Sequence, residues 1–214
     1  SEPVWFHDFG LRTKNGSYIK VDAKDNARLE EMFRQIWLGN IEDDGFNSLA
    51  LSAKLTWREV IILRAYCKFL LQSKVPFSQS YMEETLDSNP EIARHIVTLF
   101  RYLFDPALQS KKSKQISAIR SRIETALKQV KSLDEDRILR RFINLVDSTL
   151  RTNFFQLSHE GLPKGYLALK LDSARVTDLP LPRPFREIFV HSPRVDAIHL
   201  RGGSVARGGL RWSD

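Results

Sequence analysis

Cysteine is almost missing from these 214 residues, and the one present, Cys67, stands in an apolar run without a partner. That excludes an internal disulfide framework, fits a reducing compartment and leaves Cys67 the role of a small buried hydrophobe. Long hydrophobic runs are missing as well. The longest, Val60 to Leu71, is broken by Arg64 and Lys68 and falls short of the roughly 20 residues of a membrane-spanning helix. No basic, apolar, small-residue leader opens the chain. The reading is therefore a cytoplasmic protein with no membrane partner. Histidines are few and scattered (His7, His95, His159, His191, His199), none four residues from another. A metal site is not supported; only His191 and His199 could approach each other, on neighbouring strands. Nucleophile elbows, GxGxxG fingerprints and Walker loops are absent too. Arg201-Gly202-Gly203 and Arg207-Gly208-Gly209 space their glycines wrongly for a dinucleotide, which places any cofactor site outside this chain.

Positive charge is plentiful, with a net +7 and a pI near 9.6, a balance that suits a polyanion, a membrane surface or an anionic metabolite alike. It falls into two clusters. Lys111, Lys112, Lys114, Arg120, Arg122, Lys128 and Lys131 lie on one helical stretch; without stacking aromatics or a nucleic-acid motif they read as a solvated face. Arg183, Arg186, Arg194, Arg201, Arg207 and Arg211 form the other, which contains no lysine.

The chain changes language twice. Val4-Trp5-Phe6, the Lys14-Asn15-Gly16 turn and the alternating Tyr18 to Val21 read as the end of a β-containing module over 1–22. Helix signals follow over 23–156. Asp25 or Asn26 caps a segment bearing Leu29, Met32, Phe33, Ile36 and Trp37. Thr56 and Glu59 form a capping box, and Asn89-Pro90 starts another helix. Ile116, Ile119, Ile123, Leu127 and Val130 mark a long amphipathic one. Ser132 and Glu135 make a second box, ahead of Ile138, Leu139, Phe142, Ile143, Val146 and Leu150. Past Gln156, Gly161, Pro163, Gly165, Pro180, Pro182, Pro184 and Pro193 are too dense for helices. Tyr166–Leu171, Arg186–Val190 and Val195–Leu200 alternate as strands, and Gly202-Gly203 with Gly208-Gly209 form a flexible close. The expected fold is mainly α, a helical bundle flanked by short β segments at the N-terminus and in the C-terminal 50 residues, α+β overall. Neither Ser1 nor the broken-off Gly-rich close looks like a natural end, so both are expected to be cuts within a longer protein.

The most pointed chemistry lies in Val205-Ala206-Arg207-Gly208-Gly209-Leu210-Arg211-Trp212. Two glycines let backbone approach a ligand, and the flanking guanidinium forks match carboxylates. The alternative is a glycine turn whose arginines pair with surface acids.

Three strings together resemble a known family. Phe189-Val190-His191-Ser192-Pro193-Arg194-Val195, then His199 to Gly203 and Val205 to Asp214, are similar to the entrance of the catalytic region of the large NAD-specific glutamate dehydrogenases. Asp134 to Phe142 with Leu150 to Gln156 is similar to that family's preceding segment, and Val4 to Phe9 resembles the close of an upstream regulatory module. The resemblance implies a parent enzyme, a homo-oligomer, that converts L-glutamate, NAD and water to 2-oxoglutarate, ammonium and NADH. It makes Arg207, Gly208, Gly209 and Arg211 the substrate-binding residues of a truncated substrate domain over 157–214. It puts the catalytic lysine and acid and the NAD site beyond this chain, leaving the piece inactive alone. Two other readings stand beside it: a basic helical nucleic-acid-binding module, and a helical oligomerisation scaffold.

Overall fold

In the computed structural model, which describes residues 3–5, 21–205 and 210–212, the helices begin where capping chemistry allows. The expected module over 1–22 falls almost wholly outside the described residues. α1 (Ala23–Trp37) is capped by Asp22, whose side chain accepts from the Asp25 N–H at 2.7 Å while Asp25 accepts from the Asp22 N–H. The cap is thus three residues ahead of Asp25, because two aspartates at this spacing satisfy each other's backbone donors. Met32 and Gln35 of α1 are buried, with Leu29 and Ile36 partly so. Phe33 and Trp37, read at helical spacing with these residues, sit one residue further round the helix and face outward. They stack on each other at 6.2 Å, with Trp37 80% exposed.

A short helix α2 (Leu49–Ser52) leads to α3 (Trp57–Gln72), started by the Thr56–Glu59 capping box that the sequence predicts. Its residues from Val60 to Cys67 are buried without a break, as in a helix enclosed on every side. α4 (Gln79–Ser88) is an addition to the sequence reading. It is capped by Ser78 and buries Met82, Thr85 and Leu86. α5 (Pro90–Phe104) starts with proline at its first position, as expected. α6 (Lys112–Leu127) buries Ile119, Ile123 and Leu127. α7 (Leu133–Ser148) is capped by Ser132, but its box is half formed. The Glu135 carboxylate accepts from Asn89 Nδ2 at 3.1 Å instead, tying the start of α7 to that of α5. α7 also ends before Leu150. Thr149 turns its hydroxyl back onto the Leu145 carbonyl at 2.7 Å and meets the buried Tyr66 hydroxyl at 2.8 Å. The chain then leaves as a strand.

That strand, β1 (Thr149–Thr152), opens a five-stranded antiparallel sheet with β2 (Leu167–Leu171), β3 (Arg186–Ser192), β4 (Val195–Arg201) and β5 (Leu210–Trp212), in sequence order. β2, β3 and β4 are the three strands expected, with ends shifted by one or two residues. β1 and β5 join them at the edges, so part of the supposed flexible close is a strand. Leu167, Leu169 and Leu171 alternate inward on β2, as do Glu187, Phe189 and His191 on β3. This face lies against α3, with Phe69 and Phe189 meeting edge to face at 5.8 Å. Helices and sheet share one core, and the fold is α+β as the sequence implied.

Arg64, which interrupts the apolar run of α3, is fully buried. Its Nε and Nη2 donate to the two carboxylate oxygens of Asp44, both at 2.8 Å, and Nη2 also donates to Asn47 Oδ1 at 2.8 Å. Asp44 in turn accepts from the Phe46 N–H, fixing the turn before α2. Gly45 lies close against the Glu83 side chain, whose carboxylate would have to shift to admit a Cβ. Burial pushes the Glu83 carboxyl above its ordinary range and likewise raises the Cys67 thiol, which is enclosed as a small hydrophobe.

Two stability predictions follow from these positions. Phe142 is wholly buried, and Phe142→Ala should cost about 3–5 kcal/mol. Arg141 pairs at 2.8 Å with an exposed Asp178, so Arg141→Ala should cost less than about 1 kcal/mol. Thermal melts in which Arg141→Ala is the worse of the two would show that α7 faces the other way. Arg64→Ala strands the Asp44 carboxylate and should cost about 3–5 kcal/mol; urea unfolding showing a loss under about 1 kcal/mol would mean that the pair is dispensable.

Candidate functional site

Where the sheet meets the helical layer, the half-buried Arg58 of α3 and the buried His191 of β3 line a cleft, with the buried Arg64 of α3 behind it. The β3–β4 turn is two residues long. Ser192 pairs with Val195, Pro193-Arg194 make the corner, and Ser192 Oγ accepts from the Arg194 and Val195 N–H groups at 3.3 and 3.2 Å. This tight turn fixes the register that sets His191 opposite Asp196. His191 Nδ1 lies 2.6 Å from Asp196 Oδ1, and its Nε2 faces Glu42 Oε2 at 3.6 Å. Glu42 Oε2 is buried, makes no hydrogen bond, and also lies 3.6 Å from Arg64 Nε. An acid–histidine–acid array thus joins the β3–β4 hairpin to the helical layer through Arg64.

Arg58, in the first turn of α3, does the same for the other wall. Its Nη1 donates to the Lys164 carbonyl and its Nη2 to the Phe154 carbonyl, each at 3.0 Å, with the guanidinium 4.8 Å above the Phe154 ring. Both ends of the connection between β1 and β2 are pinned to α3 in this way. Burial draws the Arg58 pKa down, though a guanidinium remains a cation. Between these walls is a cavity of about 950 Å³ that reaches from the C-terminus of α1 to the β3–β4 turn.

The expected substrate residues divide. Arg207, Gly208 and Gly209 lie outside the described residues. Arg211 is on β5, where its backbone pairs with Ile198 on β4, so the Gly-rich string is the connection between β4 and the edge strand β5. Other members of the arginine cluster have local duties. Arg186 pairs with Asp172 at 2.9 Å and covers the Phe185 ring, while Arg183 and Arg201 donate to the Leu179 and Ser204 carbonyls. His199 lies opposite Ile188 and does not meet His191. The approach imagined for the two histidines fails because their registers on β3 and β4 differ. Among the described residues no group of three or more His, Cys, Asp or Glu could hold a metal ion, and no helix is long and apolar enough to cross a membrane. In the lysine-rich cluster, Arg120 of α6 is engaged by Asp147 of α7 through two bonds of 2.9 and 2.6 Å.

Sequence reasoning missed Arg58, Glu42 and Asp196. The first two carry no local signal, since their partners are up to 149 residues away in the chain for Glu42 and His191. Asp196 was legible in principle, as the residue opposite His191 across a two-residue turn.

Residues 41–106 match the family model described as glutamate dehydrogenase, helical motif 3, and residues 122–214 match that of the bacterial NAD-glutamate dehydrogenase catalytic domain. Curated relatives described as NAD-specific glutamate dehydrogenase are similar from end to end. One from Halomonas elongata is 47% identical over 98% of this chain. Another from Pseudomonas aeruginosa is 44% identical over 98%, and one from Mycobacterium tuberculosis is 43% identical over 99%. The chain spans 13% of the length of each. Motif strings, two matched domains and this continuous identity agree, and the chain belongs to the family of the NAD-specific glutamate dehydrogenases.

Proposed function

We propose that this chain is the part of a longer NAD-dependent glutamate dehydrogenase that carries the substrate-binding string Arg207-Gly208-Gly209-Leu210-Arg211 into the catalytic region on a sheet braced by the helical layer. The observation that supports this most directly is the backbone pairing of β5 with β4: the Gly-rich string leads into an edge strand of the sheet, and guanidinium forks such as those of its arginines match carboxylates. The parent would oxidise L-glutamate to 2-oxoglutarate with release of ammonium. It would work as a cytoplasmic homo-oligomer. Residues 23–156 would serve as its helical domain and 157–214 as the start of its substrate domain.

The nicotinamide supplies the hydride acceptor for such chemistry, but the described residues do not fit a dinucleotide. Their sheet is antiparallel throughout, whereas a pyrophosphate is held at the start of a helix that follows a parallel strand through GxGxxG. No step is assigned to NAD within this chain. Its own contribution is to bind and orient the substrate through Arg207 and the backbone of the two glycines after it. The isolated chain should therefore neither reduce NAD with glutamate nor bind NAD; saturable micromolar binding in calorimetry would overturn the assignment.

In the full-length parent, Arg207→Ala should lower kcat/KM for glutamate roughly ten- to a hundredfold, the equivalent of losing a charge-assisted contact of about 1.5–3 kcal/mol. NAD affinity and thermal stability should stay near wild type. Arg207→Lys should recover part of the loss, because it keeps the charge and gives up the second hydrogen bond. If steady-state kinetics of Arg207→Ala match wild type, Arg207 is a turn residue and the substrate role is wrong.

A further inference from the structure

The cleft between α3 and the β3–β4 hairpin is unlike the rest of the surface in two respects. Of its four lysine and arginine side chains, Arg34 is paired with Glu31 and the other three lack acids. Arg58 donates only to carbonyls, Lys164 has the Tyr166 ring 5.9 Å from its Nζ as its side-chain contact, and Arg194 makes no ion pair among the described residues. The carboxylate on the lining, Glu42, is held between Arg64 and His191. The second feature is apolar: Leu38, Leu162, Tyr166 and Val195 surround the opening at 56%, 58%, 45% and 43% exposure. A small anion could answer the charge, but the cavity of about 950 Å³ is at the top of the small-molecule range of about 300–1,000 Å³. A ligand of that kind would also leave the four rim side chains in water. Apolar rim, aromatic walls and unpaired arginine are the composition of a protein interface. If the chain is part of a polypeptide as long as its relatives, of whose length it spans 13%, further sequence is at hand to fill the cleft.

We infer that the cleft seats an acidic segment of the same polypeptide from outside residues 1–214, its carboxylates meeting Lys164 and Arg194 and an apolar side chain entering between Leu38, Leu162 and Val195. The inference rests on the reading of the chain as part of a longer enzyme. The test uses the full-length parent, with half its copies labelled with ¹⁵N, treated with a zero-length carbodiimide that joins an amine to a carboxylate in contact. Lys164 should be linked to an Asp or Glu outside residues 1–214, within one isotopic copy, and Lys164→Arg should remove that link alone. Reversing the charge with Lys164→Glu and Arg194→Glu should speed amide hydrogen exchange over residues 157–166 by about tenfold or more. Links formed only between labelled and unlabelled copies would seat a second copy in the cleft and overturn the proposal. The absence of any Lys164 link, or exchange unchanged by charge reversal, overturns it equally. Glutamate turnover by the same preparation is read separately: an inactive parent would undo the functional reading and leave an intramolecular link standing.

Discussion

A guanidinium taken wholly out of water must find its counter-charge inside the protein, and Arg64 finds it in the two oxygens of Asp44. The geometry of that fork fixes the turn before α2. With the turn comes Glu42, two residues earlier, whose buried oxygen faces His191 of the sheet. The helical layer and the sheet are therefore coupled through a row of ionisable groups, Asp44, Arg64, Glu42, His191 and Asp196, in which each group limits where the next can sit. Such a row is a weak source of net stability, because desolvation offsets much of the attraction. It does constrain geometry, since an apolar contact tolerates sliding and a forked ion pair does not.

Arg58 adds a second constraint of a different kind. Its two donors hold carbonyls, which carry no charge to lose, so the joint between α3 and the β1–β2 connection does not depend on the ionisation of its acceptors. One wall of the cleft is thus tied to α3 by Arg58, and the other meets the helical layer at His191 and Glu42.

The helices were largely legible, because caps and stripes are local. Thr56 with Glu59 and Pro90 announce their helices within a few residues. What was misread depended on distant partners. Glu135 left its own cap for Asn89, 46 residues away, and Phe33 and Trp37 share a helical period with the buried residues of α1 without sharing their face. α4 has too few apolar residues to announce itself and is held by what it packs against. The substrate role read into the string from Val205 to Trp212 came from its own residue types and is a proposal, with Arg207, Gly208 and Gly209 outside the described residues. The cleft was illegible, because Arg58 and Glu42 become meaningful only once the chain has brought β2 and β3 back to α3. Arg64 did leave a trace, as a charge in an otherwise apolar run.

The sequential order of the five strands has a kinetic consequence. Each strand pairs with its neighbour in the chain, so the sheet can assemble by adding one hairpin at a time with little loop-closure entropy at each step. Docking that sheet onto α3 is another matter, for the bond from Arg58 to Lys164 closes a loop of 106 residues. A polypeptide leaving the ribosome would expose the apolar flank of α3 through the whole synthesis of α4 to α7. Helices that pack early around α3 would then shelter it until the strands arrive, which gives the helical layer a part in assembly as well as in the finished fold.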